Sequence, residues 1–219
     1  MRFADRADAG RRLAAALTIH ADRKPVVLAL PRGGVPVGAA VAAALGAPLD
    51  LVLVRKIGAP GQPELALGAV VDGGAPLVVR NPRILAATGT SAAEFDAIGA
   101  RELAEIERRR VRYLGARAAV DIAGRVAIVV DDGIATGATM RAALRATRRR
   151  HPARMVLAVP VASPAALASL RPEVDEVVCL ASPEDFLGVG QFYDDFRQVT
   201  DDEVMALLAP VPSDPLPQS

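Results

Sequence analysis

Tryptophan is absent from this chain of 219 residues, and five Phe and two Tyr make up its whole aromatic content, 3% of the residues against 52% hydrophobic. A core with so few rings must rest on Ala, Val, Leu and Ile, so the place of each ring is informative. Four of the rings, Phe186, Phe192, Tyr193 and Phe196, fall in one short window near the C-terminus. Cysteine is scarcer still. Cys179 stands alone, which excludes an intramolecular disulfide framework and a Cys-based metal cluster. Within Val177-Val178-Cys179-Leu180 it reads as a buried structural thiol. Charge of one sign is lacking too: 26 basic and 25 acidic residues leave a formal net charge of +1. No global field therefore calls for nucleic acid or an acidic membrane. No apolar run approaches the length of about 20 residues that spans a bilayer. The start, Met1-Arg2-Phe3-Ala4-Asp5-Arg6, has no apolar core of the signal-peptide kind. The expectation is a soluble, cytoplasmic protein with no nucleic-acid or membrane partner. His20 and His151 fall at expected helix ends, where a histidine decorates a surface more often than it catalyses.

What is present alternates. Near-continuous apolar runs at 26–30, 50–54, 126–130, 155–159 and 176–180 suit strands covered on both faces, as in a parallel sheet. Helical stretches lie at 6–19, 37–45, 138–149, 164–170 and 201–208. Runs at 66–71 and 77–79 flank Asp72-Gly73-Gly74 and read as a hairpin. The alternation predicts a doubly wound α/β fold with a mainly parallel sheet flanked by helices. Ser91-Ala92-Ala93-Glu94 is a capping-box signature opening a long amphipathic helical insert over 91–118. Phe95, Ile98, Leu103, Ile106 and Tyr113 share its apolar face, and Arg101, Arg108 and Arg112 lie opposite. Arg108-Arg109-Arg110, with Glu105 and Glu107 beside it, reads as a solvated face. Residues 1–209 are expected to form a single domain, followed by a Pro-rich, poorly ordered tail at 210–219.

The most informative stretch runs from Val126 to Thr139. An apolar strand delivers two adjacent carboxylates, Asp131 and Asp132, and then a Gly/Thr loop, Ala135-Thr136-Gly137-Ala138-Thr139, opens a helix. Backbone N–H groups at a helix start, with the positive end of its dipole, suit a phosphate dianion. Thr136 and Thr139 offer hydroxyl donors, and Gly137 lets the backbone approach closely. The two carboxylates suit sugar hydroxyls beside that phosphate, and positive charge developing on the sugar. No lysine follows Gly137, so this is no Walker A loop. Pro31-Arg32-Gly33-Gly34-Val35-Pro36-Val37-Gly38 does not supply a dinucleotide fingerprint either.

This stretch resembles the signature of the type I phosphoribosyltransferases, and within them a bacterial group of predicted phosphoribosyltransferases whose acceptor is unassigned. The resemblance implies that family's fold over roughly residues 20–200. It implies that Ala135, Thr136, Gly137, Ala138 and Thr139 hold the 5-phosphate of 5-phosphoribosyl 1-pyrophosphate (PRPP). Asp131 and Asp132 are then the catalytic pair facing the ribose hydroxyls. Hypoxanthine-guanine enzymes carry an acid where this chain has Ala135, which argues against a 6-oxopurine acceptor.

Further roles follow from the same resemblance. Arg32, Gly33 and Gly34 look like the pyrophosphate loop, with a non-proline cis peptide expected at Pro31–Arg32. Glycine amides and a delocalised cation suit that anion. Arg55 or Lys56 could reach the same pyrophosphate, Lys56 from the edge of a Gly/Pro-rich loop, 56–67, that resembles the family's mobile lid. The aromatic window lies in a C-terminal hood, 181–200, where Phe192, Tyr193 and Asp194 would hold a planar small-molecule acceptor. Mg²⁺ is expected as a cofactor bound mainly through PRPP, with no residue named as its ligand. The activity implied is pentosyl transfer with release of pyrophosphate. Two alternatives are a PRPP-binding regulator without turnover, for which the 91–118 helix could meet a partner, and a PRPP pyrophosphohydrolase. Homo-oligomer formation is left open.

Overall fold

The computed structural model describes residues 1–72 and 77–209. The element order is α1 (Arg6–Leu17), a 3-10 stretch (Thr18–Arg23), β1 (Val26–Ala29), α2 (Gly34–Leu45), β2 (Leu49–Leu51), β3 (Val54–Ala59), β4 (Gln62–Val71), β5 (Leu77–Arg80), α3 (Pro82–Thr88) and α4 (Ala92–Leu114). It continues with β6 (Val126–Val130), α5 (Ala138–Arg148), β7 (Arg154–Val161), α6 (Pro164–Leu170), β8 (Glu176–Ala181), a 3-10 turn (Val189–Phe192) and α7 (Asp201–Leu208).

Five strands form a wholly parallel sheet in the order β2-β1-β6-β7-β8. The doubly wound α/β expectation is what this is. Alternate side chains serve opposite faces. Val27, Ile128, Val130, Val156 and Ala158 meet Leu13, Leu17, Val37 and Val41 of α1 and α2. Val26, Leu28, Ala127, Val129, Met155 and Leu157 meet Met140, Ala143 and Leu144 of α5 and Leu170 of α6. Every residue of β1 and β6 is buried, as continuous apolar runs require.

A separate three-stranded antiparallel sheet, β3-β4-β5, packs under α4. Here the sequence reading needs two corrections. The run at 50–54 is two strands, because Val52 and Leu53 leave the parallel sheet and Val54 begins the next one. The stretch read as a lid loop, 56–67, is mostly strand. Val54–Ala59 and Gln62–Val71 pair antiparallel around a Pro60-Gly61 turn. The turn residues Pro60 and Gly61 had made the whole stretch look irregular. The hairpin at 66–71 and 77–79 is present as β4 and β5, while Gly73 and Gly74 of its turn and the tail 210–219 lie outside the described residues. The helix read over 91–118 spans Ala92–Leu114. Ser91 and Glu94 form its capping box, and Phe95, Ile106 and Tyr113 are buried on its inner face. No helix among the described residues is long and apolar enough to cross a membrane.

Candidate functional site

Local chemistry explains where each helix begins. Asp5, Asn81, Ser91, Ser163 and Thr200 each cap the helix that follows through a side-chain oxygen. Of the seven α-helices described, α2 and α5 alone have no side-chain cap, and both begin at glycine, Gly33 and Gly137. These two starts lie on either side of the Asp131–Asp132 pair at the end of β6.

At α5, Gly137 has φ +81°, a conformation a side chain rarely tolerates. Ala135, Thr136, Ala138 and Thr139 are exposed, and there is no acid in the first turn. The loop is held from below. The Ile134 N–H donates to Val161 O at 3.0 Å, the Ser163 N–H to Ile134 O at 2.9 Å, and the Ser163 hydroxyl to Ala135 O at 2.7 Å. Its outward N–H groups and hydroxyls therefore sit on a fixed support.

The turn between β1 and α2 is packed against the acids. A Cβ on Gly33 would lie 2.1 Å from Asp132 Oδ2, and one on Gly34 would lie 2.9 Å from Asp131 Cα, so neither position accepts a larger residue without displacement. The Pro31–Arg32 peptide is cis. Gly34 corrects one expectation. Its N–H donates to Leu30 O at 3.0 Å and the residue is buried, so it closes the turn and does not offer an amide to an anion. Arg32 turns toward α7, with Nη1 3.7 Å from Asp201 Oδ1. The Tyr113 hydroxyl of α4 also donates to that carboxylate, at 2.6 Å.

Asp131 Oδ1 accepts the Asp132 N–H at 2.9 Å. Burial, then the neighbouring Asp132 charge, holds the Asp131 carboxyl well above its ordinary range. Burial also raises Asp132, against the hydrogen bond and charge of Arg6. Arg6 is the residue the sequence reading missed. Its Nε–H donates to Asp132 Oδ2 at 2.7 Å and its Nη1 to Arg197 O at 2.8 Å. No local pattern could have found it, because the two partners are 126 residues apart.

Lys56, an exposed residue of β3, lines a cavity of about 350 Å³ with Ala138, Thr139, Arg80, Arg141 and Arg145. Arg32 lines a different cavity, with Arg112 and Asp201. The two cations assigned to one anion are thus on separate cavities.

The aromatic window is a correction. Phe192 and Tyr193 are 8% and 3% exposed, in a cluster with Phe3, Ala9 and Val161. Phe192 stacks on Phe186, and Tyr193 lies against Phe3 and Phe196. Their rings are consumed in packing and offer no free face to an acceptor. The Tyr193 hydroxyl donates to Asp132 O at 2.6 Å, so its role is to fasten this segment to the acidic pair. Asp194 is exposed and paired with Arg2 at the surface. Among the histidines, His20 is also a correction: it is buried, with Nε2 3.4 Å from Glu176 Oε1.

A model of the phosphoribosyl transferase domain matches residues 4–197. A curated protein of Mycobacterium tuberculosis, named "Putative phosphoribosyl transferase", is 47% identical over 206 residues, covering 94% of this chain. That alignment takes in 46% of the relative, so the chain spans about half the length of the curated relatives it matches. A crystal structure from Thermus thermophilus is 48% identical with a TM-score of 0.82, covering 95% of this chain and 98% of that one. A hypothetical protein of Neisseria gonorrhoeae, solved with bound ppGpp, shares the fold at 16% identity and TM-score 0.50, covering 95% of this chain and 93% of that one.

Proposed function

The chain belongs to the phosphoribosyl transferase domain family, and from that premise we propose that it transfers the 5-phosphoribosyl group of PRPP to a nitrogenous acceptor, releasing pyrophosphate. The observation that carries the reading is the uncapped start of α5 beside a half-buried pair of acids. The α5 amides, with Thr136 and Thr139, hold the 5-phosphate dianion as a side-chain cap holds other helix starts. Asp131 and Asp132 then face the ribose. They accept its hydroxyls and steady the positive charge that builds at the anomeric carbon as the bond to pyrophosphate breaks. The nitrogen of the acceptor forms the new bond to that carbon, and its proton leaves to solvent. Ala135 supplies no base at the loop.

The Gly33 amide serves the leaving pyrophosphate from the β1–α2 turn and Lys56 from the cavity beside α5, while Arg32 reaches it only by leaving Asp201. Mg²⁺, when bound together with PRPP, would supply charge neutralisation for the leaving pyrophosphate.

The test is to follow pyrophosphate from PRPP and Mg²⁺ with a panel of planar nitrogenous bases. Release that depends on one base supports the proposal. Release without any base makes the protein a pyrophosphohydrolase. Tight PRPP binding with no release makes it a regulator.

A further inference from the structure

The fork of Arg6 joins three parts of the molecule. From the first turn of α1, its Nε holds Asp132 Oδ2 and its Nη1 holds the Arg197 carbonyl. Its guanidinium carbon lies 4.0 Å from the centroid of the Phe196 ring. The Arg6 and Asp132 side chains are 11% and 14% exposed, so solvent screens the pair poorly. Tyr193 donates to the carbonyl of the same aspartate. The 181–200 segment is thus tied to one acid twice, once through its side chain and once through its backbone. Asp131 lies half-buried beside it.

We propose that Arg6 is a positioning residue that orients Asp132 for the ribose while tying that carboxylate to the 181–200 segment. The inference rests on the phosphoribosyl-transfer reading above. A carboxylate accepts more than one donor, so Oδ1 stays open to a sugar hydroxyl while Oδ2 is held. Only a planar fork serves a carboxylate, a carbonyl and a ring face together; a lysine is a point charge. The groups facing Asp132 are Arg6 from α1, Asp131 from the end of β6, Tyr193 after the 3-10 turn and the Gly33 backbone. Asp5, Asp195, Arg197 and Glu203 line the cavity beside Arg6. Arg197 pairs with Asp195 at 3.5 Å and Glu203 at 2.6 Å, so these charges offset one another. Burial, opposed by Arg6, is left to set the ionic form of Asp132.

The test titrates the free protein, labelled with ¹³C at aspartate carboxyls, as wild type, Arg6→Gln and Arg6→Lys. In Arg6→Gln the Asp132 midpoint is expected to rise by about one pH unit, the effect of removing an adjacent opposite charge. The acid limb of kcat/KM for PRPP moves up with it. Arg6→Lys gives an intermediate rise, because charge remains without the fork. An unchanged midpoint, or a loss of rate equal at every pH, overturns the proposal. Should Arg6→Gln fail to fold, the Arg6→Lys midpoint decides by the same criterion. The titration needs no substrate. A wild type that releases no pyrophosphate with any base therefore defeats the transfer reading while the titration still judges Arg6.

Discussion

The starts of α4 and α5 are opposites. At α4 every demand is met from within the chain. Ser91 Oγ accepts the Glu94 N–H at 3.2 Å, and Glu94 Oε2 accepts the Ser91 N–H at 2.9 Å. The Ser91 hydroxyl, donating to Glu94 Oε2 at 2.7 Å, and then the Ser91 N–H hold the Glu94 carboxyl below its usual range. At α5 a glycine stands where the cap would be, no acid enters the first turn, and the cations Arg145 and Arg148 lie in the last turn. A missing cap costs a helix about 1 kcal/mol. The same end of the sheet buries two adjacent carboxylates, which is a second cost. The comparison teaches that α4 is built for stability, whereas α5 and the acids give up stability where an anion and a developing cation would supply the missing partners.

Removing an acid breaks the comparison most severely. Asp131→Asn and Asp132→Asn are each expected to lower pyrophosphate release at least about 100-fold, the scale of losing one electrostatic contact to a transition state. Asp131→Asn should also raise the melting temperature at neutral pH. The Asp131 carboxyl is pushed well above its ordinary 3.8 by burial and by Asp132. Below about pH 4 both folded and unfolded chains hold the proton, and the group costs nothing. Above that the unfolded chain ionises first, so the cost grows until the folded group ionises too. The gain in Tm of Asp131→Asn over wild type should therefore be near zero at pH 4 and widen toward pH 7. Thermal melts across that range check it, and a gap that shrinks as pH rises refutes the assignment.

Smaller losses come from the loop. Thr136→Ala and Thr139→Ala each remove a hydroxyl that would donate to a phosphate, a contact of about 1.5 kcal/mol, and should weaken PRPP binding about tenfold by calorimetry. Both side chains are exposed, so Tm should stay within about one degree of wild type. A melting shift without a binding change would make the loop structural.

Local signals explain what could be read in advance. The run Val126–Val130, the paired acids and the Thr-Gly-x-Thr turn are adjacent in sequence, and so are the residues of the capping box at Ser91. The parallel sheet followed from apolar runs buried on both faces. What escaped depends on distant partners. Arg6 and Asp132 are brought together only by the stacking of α1 on the sheet. Phe192 and Tyr193 looked available because Phe3, which covers them with a backbone bond from its N–H to Phe192 O at 2.8 Å, is at the other end of the chain. The strand β3 was hidden because Arg55 and Lys56 interrupt its apolar pattern, yet Arg55 Nε holds Glu102 of α4 at 2.7 Å.

Ser91→Ala is the smallest change in function and the sharpest control on the comparison. It opens the cap of α4, leaving the Glu94 N–H without its hydroxyl acceptor, and the protein should lose a few degrees of Tm. PRPP affinity and turnover should not change, because the Ser91 cap lies at the opposite end of α4 from Tyr113, which meets Asp201. Uncapping a helix would then reduce stability alone at α4, whereas loss of the α5 loop hydroxyls reduces binding alone. If Ser91→Ala lowered PRPP affinity as Thr139→Ala does, the two helix starts would not be separable, and the division between a stabilising end and a binding end would fail.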